Sequence, residues 1–172
     1  MGRWTALFPP GKGGGEGVAY GYKGKGILIH TLTDGNGLPL SNSTTAANGS
    51  EQKQVIPLLN SVLVKTNSPG RPRKRVKVLA ADKGYDSKDL RGTLRKRGIR
   101  PQLPKRVRKT KRNLGRPIKI SVPRFQIERC FALFQRKYRR LVVRWERISA
   151  CFDAFVSLAT IHIWINRILL VG

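Results

Sequence analysis

The sequence predicts an α/β fold with a mixed sheet, and three observations predict it. A hairpin signal surrounds the turn at residues 34–37 (DGNG), and the apolar run at residues 76–81 is typical of a buried strand. Two long helical patterns follow near the C-terminus. In chain order the elements are a hairpin, a helix, a strand, a helix, a strand, a basic loop and two helices. With 172 residues, of which 40% are hydrophobic, we expect one domain with a real core.

The charge is the extreme feature of the composition. The chain has 35 Lys and Arg against 9 Asp and Glu, a net charge of +26, and residues 65–119 alone hold 21 of those bases and 3 Asp. Such a focused positive charge indicates a polyanionic partner, and nucleic acid is favoured over a membrane surface. The isolated Cys130 and Cys151 exclude a zinc motif. The longest apolar run, at 154–165, is short for a membrane span, so a soluble, cytoplasmic protein is expected.

The first third of the chain predicts a loop, a hairpin and a helix. Residues 9–26 are Gly-rich without a preceding strand, which excludes a dinucleotide or P-loop motif and predicts a flexible loop that leaves its lysines free for phosphates. Strands are predicted at 27–31 and 38–41, with Asp34 serving the turn geometry. Ser50 is a predicted N-cap for a helix at 51–65 that contains Pro57.

The remaining elements follow from caps and periodicity. Ser87 is expected to cap a helix that Gly98 ends, and a short strand follows at 99–103. Residues 105–119 carry eight bases and no acid, which favours a mobile basic loop. The next helix has an apolar stripe formed by Ile127, Phe131, Phe134 and Tyr138. The last helix, 148–170, is apolar almost all round, which predicts burial on most sides.

Only two of the nine acids lack a ready local explanation. Asp82 follows the buried strand directly, at a place where α/β folds often put chemistry. Glu128 lies on a helix face among cationic and amide groups. Cleavage of a phosphodiester needs an activated water and a stabilised leaving oxygen. Two divalent ions bound by carboxylates would supply both. The structural alternative for Glu128, an ion pair with Arg124 four residues earlier, stays open.

Several segments of the chain resemble one protein family. They are GKGILIHTLTDGNGLPLS (24–41), VLAADKGYDS (78–87), RGIRPQLPKR (97–106) and RFQIERCFALFQRKYRRLVVRWER (124–147). Together they are similar to the C-terminal catalytic part of bacterial insertion-sequence transposases of the DDE class, over roughly residues 10–170. The resemblance implies an RNase H-like fold, with strand cleavage and transfer at the ends of the insertion sequence. It also implies Mg²⁺ (or Mn²⁺) bound by Asp, Asp and Glu.

Carried over residue by residue, the resemblance makes Asp82 the second catalytic and metal-binding Asp and Glu128 the catalytic and metal-binding Glu. Arg124 occupies the Arg of the family's helix signature. Two departures concern auxiliary phosphate contacts: Ser121 stands where the family has Tyr, and Gln135 stands where it has Lys, with Arg136 directly after it.

The first Asp of the family has no counterpart here, because the ten residues before the Gly-rich segment contain no acid. The sequence therefore predicts that the first strand is incomplete or missing. It divides the chain into an atypical remnant at 1–10 and a partial catalytic domain at 11–172. We expect a truncated or frame-disrupted transposase that binds DNA but does not transpose alone. The alternative is a non-enzymatic basic nucleic-acid-binding protein.

The partner implied is DNA in the bacterial cytoplasm and nucleoid. No membrane or small-molecule cofactor is expected, and a homo-oligomer on DNA is left open. The candidates for DNA contact are basic residues of the Gly-rich segment, the strand end, the basic loop and the second-last helix: Lys23, Lys25, Lys83, Lys105, Arg106, Arg108, Lys109, Lys111, Arg112, Arg124 and Arg136.

Overall fold

The computed structural model describes residues 2–63, 69–70, 76–104 and 125–170, and the side chains of these residues except 125–127 and 170. Six strands form the sheet: β1 Gly2–Leu7, β2 Ala19–Gly21, β3 Gly24–Thr33, β4 Pro39–Ala46, β5 Val78–Ala80 and β6 Arg100–Gln102. The α-helices are α1 Glu51–Ser61, α2 Lys88–Lys96, α3 Phe125–Lys137 and α4 Ser149–Leu170. The α/β class with a mixed sheet is thereby confirmed.

Strand β1 lies in the middle of this sheet. It pairs antiparallel with β3 on one side and parallel with β5 on the other, and β5 continues in parallel to β6. Strand β4 pairs antiparallel with β3 and forms the predicted hairpin, whereas the sequence did not predict β2, which pairs with the start of β3. Asp34 has the predicted turn role, because its Oδ1 accepts the backbone N–H groups of Asn36 and Leu38 at 2.8 Å each.

The prediction that the first strand is incomplete or missing is wrong. Residues 2–7 form six residues of strand, and Gly2, Arg3 and Trp4 are buried. The segment has no acid and an Arg where an apolar residue is usual, so no signal in the sequence predicted a strand there. Its pairing with two neighbouring strands satisfies its backbone groups, which is a tertiary effect.

Two hydrophobic cores cover the two faces of the sheet. Trp4 of β1 and Leu32 of β3 face the first core, which α1 and α2 complete. Leu7 and Ile29 face the second core, which α3 and α4 complete. This alternation along β1 follows from the two-residue period of a strand.

The helices α1 and α2 begin near their predicted caps. Ser50 is the N-cap residue of α1, but its side chain makes no capping hydrogen bond, and Pro57 lies inside the helix. Ser87 caps α2 as predicted, accepting the N–H of Leu90 at 3.5 Å. Gly98, with a φ of 68°, follows the end of α2, where a left-handed conformation favours glycine.

The Gly-rich segment is not the free loop that the sequence predicted. It packs against the turn before α4: Glu16 N–H donates to the Arg147 carbonyl at 2.8 Å, and the Glu16 carboxylate accepts from Ser149. A Cβ at Gly13 would lie 2.0 Å from the Trp145 carbonyl oxygen. The glycines therefore permit a close approach of two backbones, a role that sequence alone did not show.

Helix α4 also differs from its prediction. Phe152, Val156, Ala159 and Ile163 pack into the second core, but much of the opposite side is exposed, so burial on most sides is wrong. The helix is apolar and long enough to cross a membrane by composition, with 22% of an 18-residue window buried. Its docking is specific: Asn42 donates to Thr160, and the Trp164 indole donates to the Pro39 carbonyl at 2.7 Å. These bonds make α4 a helix of the folded domain.

Candidate functional site

Asp82 lies exposed just beyond the C-terminal end of β5, as the sequence predicted. It is also the N-cap of a short 3₁₀ helix, Lys83–Tyr85, and its Oδ1 accepts the Lys83 N–H at 2.7 Å. The structure therefore gives Asp82 a local role as well as a position suited to chemistry. The sequence did not predict this 3₁₀ turn.

The residues that follow Asp82 hold the turn in place. The Tyr85 hydroxyl is buried and donates to Glu51 at the start of α1, and burial raises the pKa of Tyr85. Asp86 pairs with Arg91 at 2.7 Å, and the Gln52 side chain donates to the Gly84 carbonyl. Packing and pairing thus explain most of residues 84–87, and the exposed carboxylate at the strand end is that of Asp82, two residues earlier.

Glu128 lies exposed in the first turn of α3. The helix docks through Cys130 and Phe134, which are fully buried, while Phe131 and Tyr138 are partly buried as the predicted stripe requires. The side chain of Ile127 lies outside the described residues. Burial, and secondarily the charge of Asp34, raises the pKa of the Cys130 thiol to about 12, so Cys130 is an inert core residue.

The two predicted acids lie on elements that adjoin β1. Strand β5, which leads to Asp82, pairs with β1 in parallel, and α3, which carries Glu128, packs against β1. A third metal ligand between Asp82 and Glu128 would therefore come from β1. The register of β1 against β5 indicates which residue of β1 would be nearest to Asp82.

In this register Arg3 pairs with Ala80. The pairing ends at Ala80 with the strand; continuing the same register for two residues along both chains would bring Thr5 level with Asp82. Residues at alternate positions of β1 share a face, and Leu7 on this face packs in the second core with α3. In the continued register, the position beside Asp82 that faces α3 is therefore Thr5, a hydroxyl where a third carboxylate would be needed.

These residues do not fit a complete two-metal centre. Among the described side chains, no group of three or more His, Cys, Asp or Glu is placed to hold a metal ion. Arg3, on the same face of β1, is 3% exposed, and burial lowers its pKa. A guanidinium keeps its charge even so, and a fixed cation near the site opposes the binding of a divalent cation.

The described basic candidates are all exposed. Lys23 lies in the turn between β2 and β3, Lys25 is the second residue of β3, Lys83 follows Asp82, and Arg136 is in the last turn of α3. Lys25 lies over the Tyr20 ring, with Nζ at 5.9 Å from the ring centre. The other candidates lie outside the described residues: Lys105, Arg106, Arg108, Lys109, Lys111, Arg112 and Arg124.

The sequence analysis missed a basic cluster at the end of α3. Arg136, Lys137, Arg139 and Arg140 line an open cavity of about 630 Å³ beside Tyr138. Four bases with an aromatic residue in a five-residue run suit contact with a nucleic-acid backbone. The run RKYRR is visible in the sequence, but the prediction of DNA contact there rested on Arg136 alone.

Comparisons with known proteins agree on one family. Residues 8–164 match the family described as Transposase DDE domain. A putative transposase for insertion sequence element IS402 from Burkholderia cepacia is 36% identical over 133 residues, which are 77% of this chain and 60% of that protein. A putative transposase for insertion sequence element IS6501 from Brucella ovis is 28% identical over 147 residues, 80% of this chain and 97% of that protein.

The sheet agrees with the fold expected for this family. A mixed sheet with β1 at its centre and helices on both faces is the α/β arrangement of an RNase H-like domain. The match covers most of the chain and includes Asp82, Glu128 and the hairpin. The chain therefore belongs to the DDE-domain family of insertion-sequence transposases.

Proposed function

We propose that this chain is a transposase catalytic domain that binds DNA but does not cleave or transfer strands by itself. The observation that carries the proposal is the pairing of Arg3 with Ala80, because this register, continued for two residues beyond β5, would bring Thr5 and not a carboxylate to the level of Asp82. Asp82 and Glu128 remain as two metal ligands of the expected three. Members of the family use a divalent metal ion, and Mg²⁺ or Mn²⁺ is the ion expected if any activity survives.

The domain assignment belongs to the same proposal. Residues 11–172 form a partial DDE catalytic domain, and residues 2–7 of the preceding segment add β1 to its sheet. The match spans about 60% of the length of the IS402 relative. The activity, target and partners of a whole transposase are therefore only proposed for this chain, and the proposal concerns this domain alone.

DNA is the proposed partner, in the bacterial cytoplasm and nucleoid. The net charge of +26 and the exposed bases at Lys25, Lys83 and the α3 cluster support binding to phosphates. A homo-oligomer on DNA fits the same proposal, since the two ends of an insertion sequence must be brought together.

The deciding experiment is nicking of supercoiled plasmid in Mg²⁺ or Mn²⁺. We expect that neither the parent chain nor Asp82→Asn nicks the plasmid. Both should bind it and lower its electrophoretic mobility in a gel. Cleavage by the parent that is lost in Asp82→Asn would contradict the proposal, because it would show that a working metal site survives without an acid on β1.

The alternative is a non-enzymatic basic nucleic-acid-binding protein. The hydrogen bond that Asp82 Oδ1 accepts from the Lys83 N–H fits this alternative, since it gives the acid a structural role. In that case Glu128→Gln would bind DNA as well as or better than the parent, with or without a divalent ion. If Asp82 and Glu128 still share an ion, Mn²⁺ would protect the parent, but not the variant, from thermal unfolding.

A further inference from the structure

The cavity of about 630 Å³ beside Tyr138 has two walls that differ in chemistry. The wall formed by α3 and the turn after it is cationic and carries Arg136, Lys137, Arg139 and Arg140. The wall formed by α4 is mostly apolar and carries Phe155, Leu158, Ala159 and His162. No carboxylate is among the described residues that line this cavity. A ligand that suits both walls is therefore anionic on one side and apolar on the other.

The cationic wall is open to an anion. Its four bases are exposed, and of these four only Arg140 has a carboxylate partner among the described residues, Glu146 at 3.4 Å. Arg140 also lies over the Phe155 ring, with the guanidinium carbon 5.6 Å from the ring centre. This contact holds one positive charge where the two walls meet. Several bases on one concave surface attract an anion such as the phosphates of a nucleic acid.

The second wall is suited to a flat, apolar group. Leu158, which is 61% exposed, and the half-buried Phe155 lie three residues apart on one side of α4. Tyr138 and His162 are joined by a hydrogen bond of 2.9 Å between the hydroxyl and Nδ1, and their rings meet edge to face. Asn166 bonds the other ring nitrogen of His162 at 3.2 Å. These contacts fix the two rings before any ligand binds, which favours stacking on them.

We propose that the cavity holds an unpaired nucleotide of the DNA that the domain binds, with its phosphates on the cationic wall and its base against the apolar wall. This inference rests on the proposed function, since it takes DNA as the partner. A paired duplex suits only the cationic wall, because it presents its phosphates but keeps the faces of its bases stacked inside. An unpaired nucleotide presents both. The volume of the cavity is also in the range of sites that bind one small ligand.

The position of the cavity along α3 agrees with this ligand. Arg136 follows Glu128 in the same helix, and the two residues lie about 12 Å apart along the helix axis. The phosphates of one strand of a duplex follow each other at about 3.4 Å along its axis. A strand that passes Glu128 therefore reaches the cavity within about four nucleotides. The cavity is thus close enough to the candidate site to hold a base of the same strand.

Fluorescence anisotropy of the full chain with three labelled DNAs tests the inference. The first is a fully paired duplex, the second is the same duplex with a single-stranded tail of about four nucleotides, and the third has an abasic tail of the same length. The two tails carry the same phosphates and differ only in their bases. We expect the tail with bases to bind about 10-fold more tightly than the abasic tail, because only bases can stack on the apolar wall.

Leu158→Ala tests whether this cavity is responsible for the preference. Leu158 is largely exposed and alanine favours a helix, so the variant should keep its fold. It should reduce the preference for the tail with bases by at least about threefold. The matched control is Leu63→Ala, which removes the same atoms from another exposed leucine just after α1 and should keep the full preference.

Photo-crosslinking identifies the contact directly. An iodouracil base in the tail should form crosslinks to Tyr138, Phe155 or His162 of the parent chain, because these rings lie at the cavity. Mass spectrometry of the digested complex locates them. The same base within the paired part of the duplex should not form these crosslinks.

Three results would overturn this inference. Equal affinity for the two tails would mean that the cavity contacts phosphates only. An equal preference in Leu158→Ala and Leu63→Ala, or crosslinks only to other segments, would mean that the base lies elsewhere. A chain that binds none of the three DNAs would contradict the proposed function itself, whereas equal binding to all three would contradict this inference alone.

Discussion

Thr5 is the residue of β1 at which the proposed loss of the metal site can be tested. If the register of β1 and β5 continues to Asp82, Thr5→Asp would place a second carboxylate beside the first. We expect Thr5→Asp to bind Mn²⁺ at least about 10-fold more tightly than the parent in isothermal titration calorimetry. A carboxylate pair supplies ligands that a lone Asp does not.

The control for this gain is Thr5→Asn, which has the same shape without the charge and should bind Mn²⁺ like the parent. Adding Asp82→Asn to Thr5→Asp should remove the gain. Equal Mn²⁺ affinity in Thr5→Asp and Thr5→Asn would show that the register was extended wrongly beyond Ala80.

His30 makes stability depend on pH. It is fully buried, stacks on Trp4, and shares a hydrogen bond of 2.7 Å with the Thr45 hydroxyl. Burial lowers the pKa of His30 to about 4, below its ordinary value of 6.5. Between about pH 6.5 and pH 4, His30 therefore binds a proton in the unfolded chain but not in the folded chain. The stabilisation is complete above about pH 6.5 and falls as the pH is lowered towards about 4.

Urea unfolding measures this effect. From pH 7 to about pH 4.5 we expect His30 to account for a loss of about 2–3 kcal/mol in the free energy of unfolding. His30→Gln should lose less stability over the same range by about that amount. The same pH dependence in both chains would count against a neutral His30 in the fold.

At the scale of elements, the Gly-rich segment is held by contacts that its composition does not reveal. A Cβ on Gly13 would meet the Trp145 carbonyl at 2.0 Å, so Gly13→Ala must push two backbones apart. We expect it to lower the free energy of unfolding by about 2 kcal/mol or more. Thermal unfolding followed by circular dichroism measures the change.

Gly92→Ala is the matched control for Gly13→Ala. Gly92 lies in α2, and a Cβ there has no heavy atom within 4 Å. It should raise stability by up to about 1 kcal/mol, because alanine is the better helix former. If both substitutions changed stability alike, the docking of the Gly-rich segment would not be a property of the folded protein.

At the scale of the whole molecule, the net charge of +26 governs DNA binding. Log affinity should fall linearly with log salt, and each phosphate contact adds about 0.9 to the slope. Replacing Arg136 and Arg139 by Gln should therefore lower the slope by about 2. Fluorescence anisotropy with a labelled duplex across a salt series measures it.

Lys53→Gln is the control for the cluster at the end of α3. Lys53 is exposed on α1, which covers the opposite face of the sheet from α3. It should leave the salt slope unchanged. A loss of slope in Lys53→Gln equal to that per residue in the cluster would mean that charge acts over the whole surface and not at α3.

The elements that sequence predicted well are those whose signals are local. The turn residues at 34–37, the cap at Ser87 and the stop at Gly98 act through their own backbone neighbours, so composition and spacing reveal them. Asp82 and Glu128 were singled out because each stands out against its immediate surroundings. Strand β5 was predicted because it is a short apolar run.

Composition and patterning were enough to predict a basic α/β domain and to single out Asp82 and Glu128 as candidate site residues. Three further points required the fold. Residues 2–7 complete the centre of the sheet, β1 pairs with the strand that leads to Asp82, and α4 buries one apolar face while it exposes another. All three points are set by strand pairing and by packing between segments that are distant in sequence. The neighbours of a residue along the chain do not show which distant segments will lie beside it.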